Sequence, residues 1–138
     1  MGSTEVTSAS PLELTRRAFA SPDYDAMMKF LGPDSVWDIS RWGLGTHTGP
    51  AAIRRHFDDW VGSFDEYEIT LDEVSDLGGG VVYAVASQHA RPAGGQSHIS
   101  LRHASVFVWE KEVAVRVTHY RDLDEARADA ERLASERS

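Results

Sequence analysis

Polar residues that interrupt apolar, alternating stretches give this 138-residue chain its chemical potential. In residues 97–110, His103 shares a strand face with Ile99, Leu101 and Phe107. In residues 113–120, His119 follows Val113, Val115 and Val117 on one face. In residues 81–91, the face of Tyr83 and Val85 continues to Ser87 and His89, and in residues 35–40 Asp38 shares a face with Val36. Core strand faces are normally apolar, so these exceptions are informative. If the four faces turn inward together, a carboxylate, up to three imidazoles and a phenol meet in one cavity. That set suits proton transfer. A carboxylate in apolar surroundings has a raised pKa and serves as a base near neutral pH. An imidazole donates to a developing oxyanion or returns the proton elsewhere. Asp38 and His103 are the expected catalytic pair, with Tyr83, Ser87, His89 and His119 against the substrate. Trp42, in a glycine-rich loop, is expected to touch it too. Singly, each has a plainer role: Asp38 can bond a loop amide, His89 and His119 can be solvated at strand ends, and His103 can be a satisfied core residue. Convergence separates the two readings, and convergence depends on the fold.

Other chemistries lack their residues. The six histidines, at 47, 56, 89, 98, 103 and 119, show neither HExxH nor HxH spacing, and there is no cysteine, so neither metal nor cofactor is expected. No GxSxG elbow, Walker loop or dinucleotide fingerprint occurs. A net charge of -8 and a pI near 5.1 argue against nucleic acid, which needs clustered Lys and Arg. Mean hydropathy is -0.37 and no apolar run approaches the roughly 20 residues of a membrane span, so no membrane partner is expected. The opening MGSTEVTSAS has neither the basic nor the apolar part of a secretion signal, and a cytoplasmic location is expected.

The elements that must position these residues follow from periodicity. Residues 1–10 are small and polar and read as disordered, ahead of a single domain over 11–138. A helix over 12–20 is followed by a second carrying Tyr24, Met27, Met28 and Leu31 on one stripe. After the short strand and the loop 41–49, Pro50 opens a third helix that buries Ile53, Phe57, Trp60, Val61 and Phe64. From Glu66 the period becomes two, with a phase slip at Glu73-Val74 that predicts a bulge. Gly78-Gly79-Gly80 reads as a hairpin turn. Asp122 caps a last helix whose apolar stripe is Leu123, Ala126, Ala130 and Leu133. The order predicts an α+β fold: a bent antiparallel sheet with helices on its concave face, a cystatin-like roll. Ala104, Val106, Val108, Ala114 and Tyr120 on the outward face predict a homodimer through the sheet.

This order, with the phrases PDSVWDIS, GTHTGPAAIRRHFDDW and VAVRVTHYRDLDEA, resembles the SnoaL-like and ketosteroid isomerase-like branch of the nuclear transport factor 2-like superfamily, from about Leu12 to Leu133. The resemblance implies a cone-shaped domain around an internal pocket, in a fold that hosts isomerases, dehydratases, polyketide cyclases, epoxide hydrolases and non-enzymatic binders. It also places Asp38 where ketosteroid isomerases keep a general base, and His103 where they keep a protonated aspartic acid. The sequence departs from that pattern: His103 replaces the acid, and no tyrosine lies on the first helix. It is more similar in this to the dehydratase and cyclase members. The expectation is a cofactor-independent isomerase, dehydratase or cyclase acting on a small apolar carbonyl compound, polyketide, terpenoid or steroid-like. The alternative is a non-catalytic ligand-binding or dimerisation module.

Overall fold

A computed structural model describes residues 9–138 of the chain. The expected disorder of the leading segment falls largely on residues 1–8, outside the described residues. Ser10, placed in that segment by sequence, belongs to the domain: its hydroxyl accepts from the Glu13 amide at 3.1 Å and caps helix α1, Pro11–Ala18. α1 buries Leu14, Thr15 and Ala18. The second expected helix is a single 3-10 stretch, Ala26–Phe30, because the breakers at Pro22 and Gly32-Pro33 leave little room for α-helical turns.

Strand β1, Val36–Asp38, pairs with β2, Thr46–Thr48, which lies inside the stretch expected to be loop. Three residues reading Thr-His-Thr carry no apolar alternation, so no sequence pattern announces β2. Helix α2, Pro50–Val61, leads into β3, Phe64–Gly78, and then β4, Val81–Pro92, β5, Ile99–Glu110, and β6, Val113–Tyr120. Helix α3, Leu123–Arg137, closes the chain, with Asp122 accepting from the amides of Asp124 and Glu125. The six strands form one sheet in the order β2-β1-β6-β5-β4-β3. It is mixed, because β1 runs parallel to β6 while all other neighbours are antiparallel. A register shift between Leu71 and Glu73 supplies the expected bulge.

Both faces of the sheet's centre are covered. On one face Val82, Ala84, Ala86, Phe107, Trp109 and Val117 pack with α1, Trp37 and the α2 residues Ile53 and Phe57. On the other, Val81, Tyr83, Val85, Ala104, Val106 and Tyr120 pack beneath Ala126, Ala130 and Ala134 of α3. The helices therefore do not all share one face, contrary to the expectation. The apolar surface expected to bind a second copy is largely the seat of α3: Ala104, Val106 and Tyr120 are buried there. Ala114 belongs to the opposite cluster, since a register shift between Val108 and Trp109 reverses the phase of the pairing. Hydrophobicity could not tell the faces of β4 apart, because every residue from Val81 to Ala86 is buried.

Candidate functional site

The parallel pairing of β1 with β6 decides which side chain of the Trp37-Asp38 pair turns inward. Trp37 lies opposite Val117, whose side chain is in the helix-covered core, and is 2% exposed. Asp38, opposite Thr118, turns to the other face. There its Oδ2 accepts from Arg116 at 2.6 Å, and its Oδ1 accepts from the Ser40 hydroxyl at 2.6 Å and the Ser40 amide at 3.1 Å. Burial pushes this carboxyl up, but the Ser40 hydrogen bonds and the Arg116 charge outweigh it and leave Asp38 below its ordinary value. The expected general base is thus a stabilised anion facing away from the cavity.

Three other expected residues also lie elsewhere. Tyr83 is under α3, its hydroxyl donating to the Leu123 carbonyl at 3.4 Å. Ser87 donates to Asp72, and His89 is exposed beside Ser100 at 3.0 Å. All three sit on the β4 face away from α1 and α2, for the reason given above.

His103, His119 and Trp42 do come together. They line a cavity with Trp37, Tyr24 and Ile39 on its walls and His56 and Trp60 of α2 beside them. His56 and Trp60 also border an outer groove with Leu44, His47 and Arg55, which marks the mouth. β5 and β6 hold the imidazole rings 6.2 Å apart, and the Trp37 and Trp42 rings lie 4.2 Å from His119 and 6.0 Å from His103. Trp42 ends a 3-10 turn, Ser40–Trp42, that Gly43 closes at φ 75°.

Gln88 also lines the cavity, and the sequence reading missed it. It alternates with Ala84 and Ala86 on the inward face of β4, where a polar residue among small apolar ones was the available signal. Its Oε1 accepts from the Trp60 indole at 2.9 Å and the Tyr67 hydroxyl at 2.6 Å, and its Nε2 faces His103 Nε2 at 2.8 Å. His119 Nδ1 is 2.9 Å from the Ser105 hydroxyl.

Burial lowers the His103 pKa to about 4, against a weaker upward pull from Asp72. Burial also drives His119 well below the ordinary range, helped by His103 and His56 and opposed by Asp38. Both rings are therefore neutral at physiological pH. Burial raises Tyr24 to about 12 despite its hydrogen bond with Tyr67, so this phenol stays protonated. Among the described residues, no three His, Asp or Glu side chains gather as metal ligands, and no helix is long and apolar enough to cross a membrane.

Fold and site together define an α+β pocket protein, in which the sheet and α2 contribute aromatic walls and two buried neutral imidazoles to one cavity. The chain belongs to the SnoaL-like domain family, whose model matches residues 13–129. Solved structures share the fold at low identity. A nuclear transport factor 2-like protein of Burkholderia thailandensis superposes with a TM-score of 0.72 at 21% identity, over 88% of this chain and 97% of that one. A protein from Pseudomonas putida proposed to be a polyketide cyclase gives 0.65 at 21%, over 84% and 94%. A protein with a ketosteroid isomerase-like fold from Catenulispora acidiphila, in complex with trimethylamine, gives 0.67 at 15%, over 90% and 94%. No curated protein sequence matches the chain.

Proposed function

We propose that the protein binds a small, mostly apolar carbonyl compound beneath Trp42 and moves a proton on it, using His119 and His103 rather than Asp38. One observation carries this reading. Two neutral imidazoles lie side by side in an aromatic cavity, each with one ring nitrogen bonded to the protein and the other without a partner. His119 Nε2 accepts a proton from the carbon beside the carbonyl, while the C–H electron pair passes to the carbonyl oxygen. The His103 N–H donates to that oxygen as its charge grows. Return of the proton from His119 to another carbon completes an isomerisation. Attack of the enolate carbon on a second carbonyl completes a cyclisation, with the proton delivered to the new alkoxide. In this step His119 carries its proton on Nδ1, towards the Ser105 hydroxyl 2.9 Å away, and Nε2 is bare. The cavity holds about 20 Å³, room for one water, so an organic ligand must widen it on binding.

Neighbours by fold support an organic ligand here, one being complexed with trimethylamine and another proposed as a polyketide cyclase. Of the residues expected to face a second copy in a homodimer, Val108 lies beside Val115, Arg116 and Thr118 in a groove at the edge of α3.

Proton NMR of cyclohexanone and cyclohexenone in heavy water tests the reading. Wild type is expected to speed loss of the α-proton signals. His119→Gln is expected to slow this by about 100-fold, and Asp38→Asn to leave it within a factor of about three. Exchange that survives His119→Gln but is lost in Asp38→Asn would overturn the assignment. The depressed basicity of His119 favours a second reading, binding without turnover. Line broadening of the ketone without exchange would select it.

A further inference from the structure

Four buried side-chain nitrogens among the described residues have no hydrogen-bond partner: Trp37 Nε1, Trp42 Nε1, His103 Nδ1 and His119 Nε2. All four belong to residues lining the same cavity. Buried polar atoms are rarely left unpaired, so a concentration of them marks the surface that a ligand satisfies. What such a ligand must offer depends on which nitrogens carry protons, and Gln88 answers that for His103.

The Trp60 indole N–H can only donate, so the Gln88 atom 2.9 Å from it must be the carbonyl oxygen. The Tyr67 hydroxyl, 2.6 Å from the same oxygen, donates to it as well. The NH₂ end of Gln88 is thereby committed to His103 Nε2 at 2.8 Å. A donor facing Nε2 requires that nitrogen to be bare. In the neutral ring the proton then sits on Nδ1, the nitrogen without a partner.

We infer that Gln88, locked by Trp60 and Tyr67, is a positioning residue that fixes His103 as an Nδ1–H donor, and that the cavity selects a ligand with two acceptor oxygens sharing one delocalised charge. The ligand part rests on the proposed function, in that the cavity is taken as the ligand site. Three of the four unpartnered nitrogens are obligate donors, and only His119 Nε2 can accept. The donors fall in two places: Trp42 with His103 in one, and Trp37, beside the accepting His119, in the other. Two places suit two oxygens on one small skeleton. No Lys, Arg, Asp or Glu lines the cavity. A charge localised on one atom would lose its hydration there without a counter-ion, whereas one spread over an O–C–C–C–O system loses less and meets N–H dipoles at both ends. The class is the enolate of a 1,3-dicarbonyl or a hydroxyquinone-type vinylogous acid. A ligand with an amine or hydroxyl donor in place of the oxygen beside Trp42 and His103 would set donor against donor.

Long-range ¹H–¹⁵N NMR of ligand-free, ¹⁵N-histidine-labelled protein at neutral pH tests the first part without any catalytic readout. His103 is expected with a protonated Nδ1 and a bare Nε2. A proton on Nε2 overturns the inference, while leaving the proton-transfer role of His119 untouched. In Gln88→Leu the second tautomer is expected to appear and His103 to titrate at higher pH. Trp60→Phe, which keeps the aromatic ring and removes only the indole N–H, is expected to do the same more weakly. Unchanged tautomer and titration in the folded variants overturn the role of Gln88. Calorimetric titration then compares the enolate of cyclohexane-1,3-dione with its enaminone, in which an amino group replaces one oxygen. The enolate is expected to bind at least about tenfold more tightly. Equal affinities, including no measurable binding of either, or preference for the enaminone overturn the ligand class. Enolate binding without ketone exchange would keep this inference and overturn the catalytic reading.

Discussion

A proton added to His103 meets the NH₂ of Gln88 on one side and apolar walls on the other, and no carboxylate lines the cavity to receive it. Its pKa is about 4 in the fold against 6.5 for the ordinary group. Between those values the unfolded chain binds more protons than the folded one, so stability rises with pH across the window. Above it both forms are neutral and the contribution is complete. On acidification it is lost progressively, by about 3 kcal/mol once both forms are protonated. His119 is lowered as well and acts in the same direction. Urea midpoints are therefore expected to fall as the pH drops from about 6.5 towards 4, and less steeply in His103→Gln than in wild type. Parallel wild-type and variant curves would contradict the buried neutral state.

At the scale of elements, the β3–β4 turn holds the sheet's longest hairpin. Gly80 lies at φ 83°, its carbonyl accepts from the Trp109 amide at 2.8 Å, and a Cβ there would stand 2.3 Å from the Trp109 carbonyl oxygen. Backbone strain and backbone collision act together at this position. Gly80→Ala is expected to cost about 2–3 kcal/mol and lower Tm by roughly 10 °C, as read by calorimetry. A variant within about 2 °C of wild type would show that the turn relaxes freely. Such a change also bears on the site, because Trp109 lies on β5, the strand that carries His103.

The whole molecule is two cores on one sheet, and α3 alone closes the second. Its buried stripe is Ala126, Ala130 and Ala134, with Leu123 and Leu133 at the margin, over Val81, Tyr83, Val85 and Val106. Small residues let the helix lie close to the sheet, so a larger or charged group has no room. Ala130→Asp, burying a carboxylate there, is expected to destabilise by more than about 3 kcal/mol. Removing residues 123–138 is expected to leave an apolar sheet face that self-associates, detectable by light scattering at micromolar concentration. A truncated chain that stays monomeric and keeps the wild-type Tm would show that α3 is dispensable.

Local periodicity was enough to read the α+β class, the first, third and last of the four expected helices, the β3 bulge and the Asp122 cap, because each follows from the spacing of neighbours along the chain. His103 and His119 were legible as polar interruptions of apolar faces, and Trp42 by its place in a loop. Asp38 was not, because its orientation depends on the parallel pairing with β6, about 80 residues away. One residue's difference in register separates an inward Trp37 from an outward Asp38. Tyr83, Ser87 and His89 were assigned to the wrong face for a related reason: α3 buries the second side of β4, erasing the contrast that tells inside from outside. Gln88 left a signal in the sequence, a polar residue alternating with Ala84 and Ala86, but its partners were set only when tertiary structure joined α2, β3, β4 and β5 in one hydrogen-bond chain. Spacing along a strand says which side chains share a face, but only the layers packed against the sheet decide which face is the cavity.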